Sequence, residues 1–129
     1  MSWQSYVDDQ LVSSGQVDGA AIIGVDDGSI WATSHTDGFQ IRQGEGSGAV
    51  ELFKHPEDVF NRGITLNGMK YMGIKGDERS IYAKKGATGV ALVKTNQTIL
   101  IAHYNEKMLP GNAAVVTERL GDYLLENGY

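Results

Sequence analysis

Between Gly63 and Asn105 the chain reads GITLNGMKYMGIKG, RSIYAKK, TGVALVKT and TILIAHYN, with Asn67-Gly68, Gly86 and Thr95-Asn96-Gln97 among the short joints. Each run has the length and β-branched content of a strand. The joints are short enough only for antiparallel neighbours, because parallel strands need a long crossover. Asn-Gly between extended runs is the strongest short-range hairpin signal, since both central residues of the tight turn take φ > 0. This stretch restricts the chain to folds with an antiparallel meander at their centre.

The flanking segments complete the outline. Trp3, Val7 and Leu11 recur at helical spacing, with Tyr6 and Gln10 on a neighbouring line. Ser2 is placed to cap that helix and Gly15 to stop it. GAAIIGV and SIWATS flank Asp26-Asp27-Gly28 and read as a second hairpin, with Trp31 at the centre of its later strand. The glycine-rich stretch 35–48 reads as loop, AVELFKH as a short helix ended by Pro56, and EDVF as a further helical turn. A last helix opens at Pro110, carries Ala113, Val116, Leu120 and Leu124 on one stripe with Tyr123 beside it, and runs to about Glu126. Strands grouped together with helices at both ends predict an α+β fold. Its expected form is a central antiparallel sheet of about six or seven strands, with the N- and C-terminal helices on one face and short helices elsewhere. The length of 129 residues predicts one domain, 1–129.

Several kinds of chemistry find no support. The chain has no cysteine, which excludes disulfides, thiolate metal sites and a cysteine nucleophile. His35, His55 and His103 have no paired ligand spacing. GEGSGA at 44–49 lacks the Lys-Ser/Thr of a phosphate-binding loop and reads as flexible loop. Asn96-Gln97-Thr98 fits a glycosylation sequon but reads as a turn. No Gly-x-Ser-x-Gly elbow is present. No cofactor and no enzymatic activity are expected. The opening residues carry no secretory pattern and no apolar run is long enough for a membrane span, so a cytoplasmic protein is expected.

The net charge of −5 argues against a nucleic-acid partner. Its distribution says more. Lys70, Lys75, Arg79, Lys84, Lys85 and Lys94 share one window with only Asp77 and Glu78, giving +4 there and −9 elsewhere. Such a window makes either one basic face, suited to an acidic protein or an anionic lipid headgroup, or a plain solvated sheet surface.

The aromatic residues offer the sharpest binding hypothesis. Trp3 and Tyr6 share a helix face, and Tyr123 and Tyr129 lie at the far end of the other terminal helix. If the two helices lie side by side, these rings meet around Trp31. Rings with a flat apolar face and a polar edge form grooves for polyproline helices. Spacing alone favours the alternative that the rings are ordinary core.

Met-Ser-Trp-Gln-Ser-Tyr-Val-Asp at the start, AAIIG with Asp-Gly and Ile-Trp-Ala, LNGMKYMGIKG, AKKGATGVALVKT, and Pro110-Gly111-Asn112 through VVTERLGDYLLENGY occur in this order. Together they resemble the profilins, particularly plant and amoeba members. The resemblance is weakest over 35–61, and no role is carried onto those residues. It implies a polyproline site at Trp3, Tyr6, Trp31, Tyr123 and Tyr129. It implies an actin-binding face that includes Lys70, Lys75, Arg79, Lys84, Lys85, Lys94, Gly111, Asn112, Val115 and Arg119. The implied partners are an actin monomer, proline-rich proteins such as formins, and phosphoinositide lipids. The implied role is a monomeric, non-enzymatic regulator of actin polymerisation and actin nucleotide exchange, located in the cytoplasm and cytoskeleton. Two readings compete with it: an interaction module that does not bind actin, and a small enzyme whose carboxylates converge only in space.

Overall fold

The computed structural model describes residues 2–35 and 39–129. The part of the expected loop at 36–38 lies outside the described residues. Ser2 caps the opening turn, its Oγ accepting from the Ser5 amide at 3.1 Å. An α-helical turn Trp3–Ser5, a π-helical stretch Tyr6–Leu11 and a 3-10 turn Val12–Ser14 run on from one another and are called α1 together. Gly15, at φ 76°, ends it as expected. The wider middle was not legible from a 3.6-residue period. There the Val12 amide reaches both the Val7 and Asp8 carbonyls, and Tyr6 is buried with Val7 and Leu11.

Next come β1 (Gly19–Gly24), β2 (Ile30–Thr33), α2 (Glu45–Lys54), a 3-10 turn Pro56–Asp58 and α3 (Val59–Arg62). The meander follows as β3 (Ile64–Leu66), β4 (Met69–Gly76), β5 (Ser80–Lys85), β6 (Thr88–Lys94) and β7 (Thr98–Tyr104). The chain closes on α4 (Pro110–Glu126). Asn67 and Gly68 take φ of 55° and 74°, the geometry an Asn-Gly hairpin needs. All strand pairs are antiparallel, in the order β2-β1-β7-β6-β5-β4-β3.

The sheet is buried on both faces, which explains why its central strands are apolar at nearly every position. On one face Ala20 and Ile22 of β1 and Leu100 and Ala102 of β7 pack with Val7, Leu11, Ala113, Leu120 and Leu124 from α1 and α4. On the other, Ala21, Ile23, Ile99 and Ile101 pack with Ala49, Val50, Leu52, Phe53 and Val59 from α2 and α3. Alternate residues thus serve different cores, as the two-residue strand period requires. Both terminal helices lie on one face, as expected.

One local expectation needs correction. The stretch 44–49 is not a flexible loop throughout, because α2 starts at Glu45, well before AVELFKH. Glu45 explains the early start: its carboxylate accepts from the amides of Arg42 (2.8 Å), Asn67 (2.6 Å) and Gly68 (2.8 Å), tying the helix to the β3–β4 turn. Gly46 fits because a Cβ there would lie 2.1 Å from the Gly28 carbonyl oxygen. The strand expected after Asn67-Gly68 forms as β4, and it contains a bulge. Gly73 pairs with Ala83 and Lys75 with Tyr82, leaving Ile74 as the extra residue.

Candidate functional site

The rings at the two chain ends meet on the surface. Trp3 lies at their centre, with ring centroids 5.6 Å from Tyr6, 5.2 Å from Trp31 and 5.4 Å from Tyr129. Tyr6 in turn lies 6.1 Å from Tyr123. These contacts are tilted or edge-on, the arrangements that ring quadrupoles favour. Trp31, Tyr123 and Tyr129 remain 40%, 45% and 41% exposed, so the cluster is a surface as well as a packing unit. Ordinary core would bury all five.

Backbone contacts set the rings in place. The Gln4 side-chain Nε2 donates to the Thr33 carbonyl at 2.7 Å, fixing the start of α1 beside β2 and so Trp3 beside Trp31. Gly24 of the neighbouring strand leaves room for the indole, since a Cβ there would lie 2.8 Å from Trp31 Nε1. The Tyr129 amide donates to Leu124 and its carbonyl accepts from Gln97, both at 2.8 Å, holding the last residue between α4 and the β6–β7 turn. Burial, followed by the adjacent Tyr123, raises the pKa of the Tyr6 phenol above its ordinary value.

Beyond Tyr6 and Tyr123 the surface opens into a cleft of ≈ 350 Å³ between α1 and α4. Arg119 borders that cleft. The spacing along α4 therefore separates Arg119 from Gly111, which lines a smaller hollow on the other flank with Ile74, Tyr82, Val90, Tyr104 and Ala114.

That other flank, with β4 and β5, carries much of the basic window. Lys70, Lys84 and Lys85 are exposed and make no ion pair among the described residues. Lys75 pairs with Asp77 at 3.7 Å and places its Nζ 5.2 Å over the Tyr82 ring. Arg79 is engaged by acidic groups, with its Nε 3.1 Å from Glu118 and a guanidinium nitrogen 2.7 Å from Asp122. Lys94 pairs with Ile99 at the Arg79 end of the ladder, whereas Lys85 pairs with Thr88 at the opposite end. Six residue steps along β6, from Thr88 to Lys94, at ~3.4 Å each separate the two ends by about 20 Å, so the window forms a spread surface rather than one cluster. Asn112 and Val115 are exposed along α4.

Charge counting missed the apolar side of this surface. Met72, Ile74 and Leu109 are 42%, 51% and 64% exposed. Alternation around buried Tyr71 points to Met72 from sequence, but the bulge that projects Ile74 has no such signal. Glu118 was also missed. Its carboxylate accepts from the Ser80 hydroxyl at 2.6 Å, from the Tyr82 hydroxyl and from Arg79, joining α4 to β5. Burial, followed by the bond to Glu118, raises the Tyr82 phenol pKa far above its usual value. Glu118→Ala is expected to lower unfolding free energy by about 2–3 kcal/mol, since several donors lose their shared acceptor. Denaturant titration checks this, and an unchanged midpoint at equal slope would show that solvent replaces the carboxylate without cost.

A seven-strand antiparallel sheet, with the terminal helices joined on one face into a ring-lined surface, has the architecture of a small binding module. The chain belongs to the profilin family: the family model described as Profilin matches residues 1–129. Profilin-P of Physarum polycephalum is 63% identical over 129 residues, covering 100% of both chains. Crystalline profilin II of Acanthamoeba castellanii is 48% identical with a TM-score of 0.92, covering 99% of this chain and 100% of that one. Mouse profilin IIa, solved in complex with a double repeat from the FH1 domain of mDia1, is 27% identical with a TM-score of 0.79, covering 100% of both chains. Among the described residues, no helix is long and apolar enough to cross a membrane.

Proposed function

We propose that this chain binds an actin monomer and proline-rich peptides on separate surfaces, and thereby regulates actin polymerisation. Family membership supports the actin reading. The observation that carries the peptide reading is the set of five rings, three of them well exposed, around Trp3. Proline rings stack on such faces, while indole N–H and phenol O–H groups donate to the peptide carbonyls that a polyproline helix leaves free. The complex of mouse profilin IIa with an FH1 repeat supports polyproline binding as an activity of this family.

Actin binding is assigned to the outer surface of β4–β6 and the start of α4. Met72, Ile74 and Leu109 supply apolar contact, with Lys70, Lys75, Lys84, Lys85, Gly111, Asn112 and Val115 around them. Complementary charge toward an acidic partner speeds encounter and sets orientation. Arg79 contributes less charge because Glu118 and Asp122 already hold it. Lys94 lies towards the far end of the ladder, and Arg119 borders the peptide cleft. Binding at this face would bias actin toward the conformation that exchanges nucleotide, a shift in the partner without chemistry by this chain. Phosphoinositide headgroups would compete for Lys70, Lys84 and Lys85.

A proline decamer titrated against tryptophan fluorescence tests the peptide site, since Trp3 and Trp31 both lie in it. A saturable change is expected. No change with the protein folded would remove the assignment. Reversing charge at Lys84 and Lys85 together should weaken actin binding about ten-fold at low salt and flatten its salt dependence. Unchanged affinity and salt slope would make these lysines plain solvated surface.

A further inference from the structure

The row of rings does not end at Tyr6 and Tyr123. Both also line the cleft between α1 and α4, together with Gln10, Val116, Arg119 and Leu120. Arg119 is the one charged side chain among those six. It is exposed and makes no ion pair among the described residues. The acidic residues nearest it along α4 are used elsewhere, Glu118 and Asp122 both holding Arg79. An apolar cleft with an unpaired cation at its edge thus continues the ring surface.

We propose that this cleft selects proline-rich peptides carrying an acidic side chain just beyond the proline run, with Arg119 pairing the carboxylate and Gln10 as a second polar contact. The inference rests on the proline-peptide reading above. Distances set where the acid falls. From Trp31 through Trp3 and Tyr6 to Tyr123, successive centroids lie 5.2, 5.6 and 6.1 Å apart. A polyproline helix rises ~3.1 Å per residue, so about five or six prolines cover this path. Arg119 lies one helical turn, ~5.4 Å, before Tyr123 along α4. The acid therefore belongs within about two residues of the end of the proline run. An exposed arginine–carboxylate pair gives a gain of about two- to five-fold at low salt.

The test uses the whole chain and tryptophan fluorescence at low salt. The probes are a proline decamer extended by two aspartates at its N-terminal end, the same extension at its C-terminal end, and the matching asparagine peptides. One aspartate peptide is expected to bind about two- to five-fold tighter than its asparagine control, with the gain fading as salt rises. Arg119→Gln should abolish the gain and Arg119→Lys should retain much of it. Equal binding of aspartate and asparagine peptides at both ends overturns the inference, as does a gain that persists in Arg119→Gln. Failure of every peptide to bind overturns the groove reading itself, a result distinct from binding without preference.

Discussion

Trp3→Ala is expected to weaken binding of a proline decamer by about 30-fold or more, the loss typical of a central aromatic anchor. Trp3 is the ring that touches Tyr6, Trp31 and Tyr129 together, so its removal breaks the row in the middle. Actin affinity should change by less than about two-fold, because distant sites act nearly additively. Trp3 also packs against the core beneath α1, so the variant will lose some stability. Trp31→Ala is the companion variant, since its ring is more exposed and lies on an edge strand. Calorimetry with peptide and with actin, on variants checked for folding, reads both effects. Equal loss of peptide and actin binding in a folded Trp31→Ala protein would refute two separate surfaces.

Stability should fall steeply above about pH 10, where tyrosines begin to ionise in the unfolded chain. Burial raises the phenol pKa of Tyr6, Tyr71, Tyr82 and Tyr104, with neighbouring acidic groups or phenols adding to the shift in the first three. A raised folded pKa means that the folded chain keeps its proton where the unfolded chain has lost it. The stabilisation is therefore complete below pH ~10 and is lost as pH rises toward the folded pKa values. Each such phenol contributes a slope of up to about 1.4 kcal/mol per pH unit in that window. Four together make base unfolding cooperative. Denaturant midpoints measured across that pH range, alongside tyrosinate absorbance, should show ionisation and unfolding coinciding. Tyr82→Phe should flatten the decline. Smooth ionisation of all six tyrosines with the fold intact would contradict the expectation.

Local backbone chemistry made most elements legible. Asn67-Gly68 names its own turn because few residues tolerate φ > 0 at both central positions. Gly15 ends α1 for a related reason. The alternation in β1 and β7 was hidden, since both faces are covered and the strands read as continuous apolar runs. The start of α2 was misread because glycines have low helix propensity, while Glu45 anchors it through amides more than twenty residues away in sequence.

The candidate sites divide along the same line. Residue type and periodicity marked Trp3, Tyr6, Trp31, Tyr123 and Tyr129 as rings that converge if the terminal helices pack side by side. Whether they form buried core or an open surface depends on how far each protrudes, which packing determines. Residue type likewise marked the basic window, but not that Arg79 is held by Glu118 and Asp122 or that Lys85 and Lys94 occupy opposite ends of the ladder. The sequence by itself determined the antiparallel meander, the terminal helices and the supply of aromatic and basic side chains, because these follow from turn geometry, periodicity and composition. Only the tertiary structure decided which face each side chain serves. The bulge at Ile74, the Glu118 clamp and the position of Arg119 on the cleft flank all depend on contacts between residues remote in the chain, for which local sequence carries no signal.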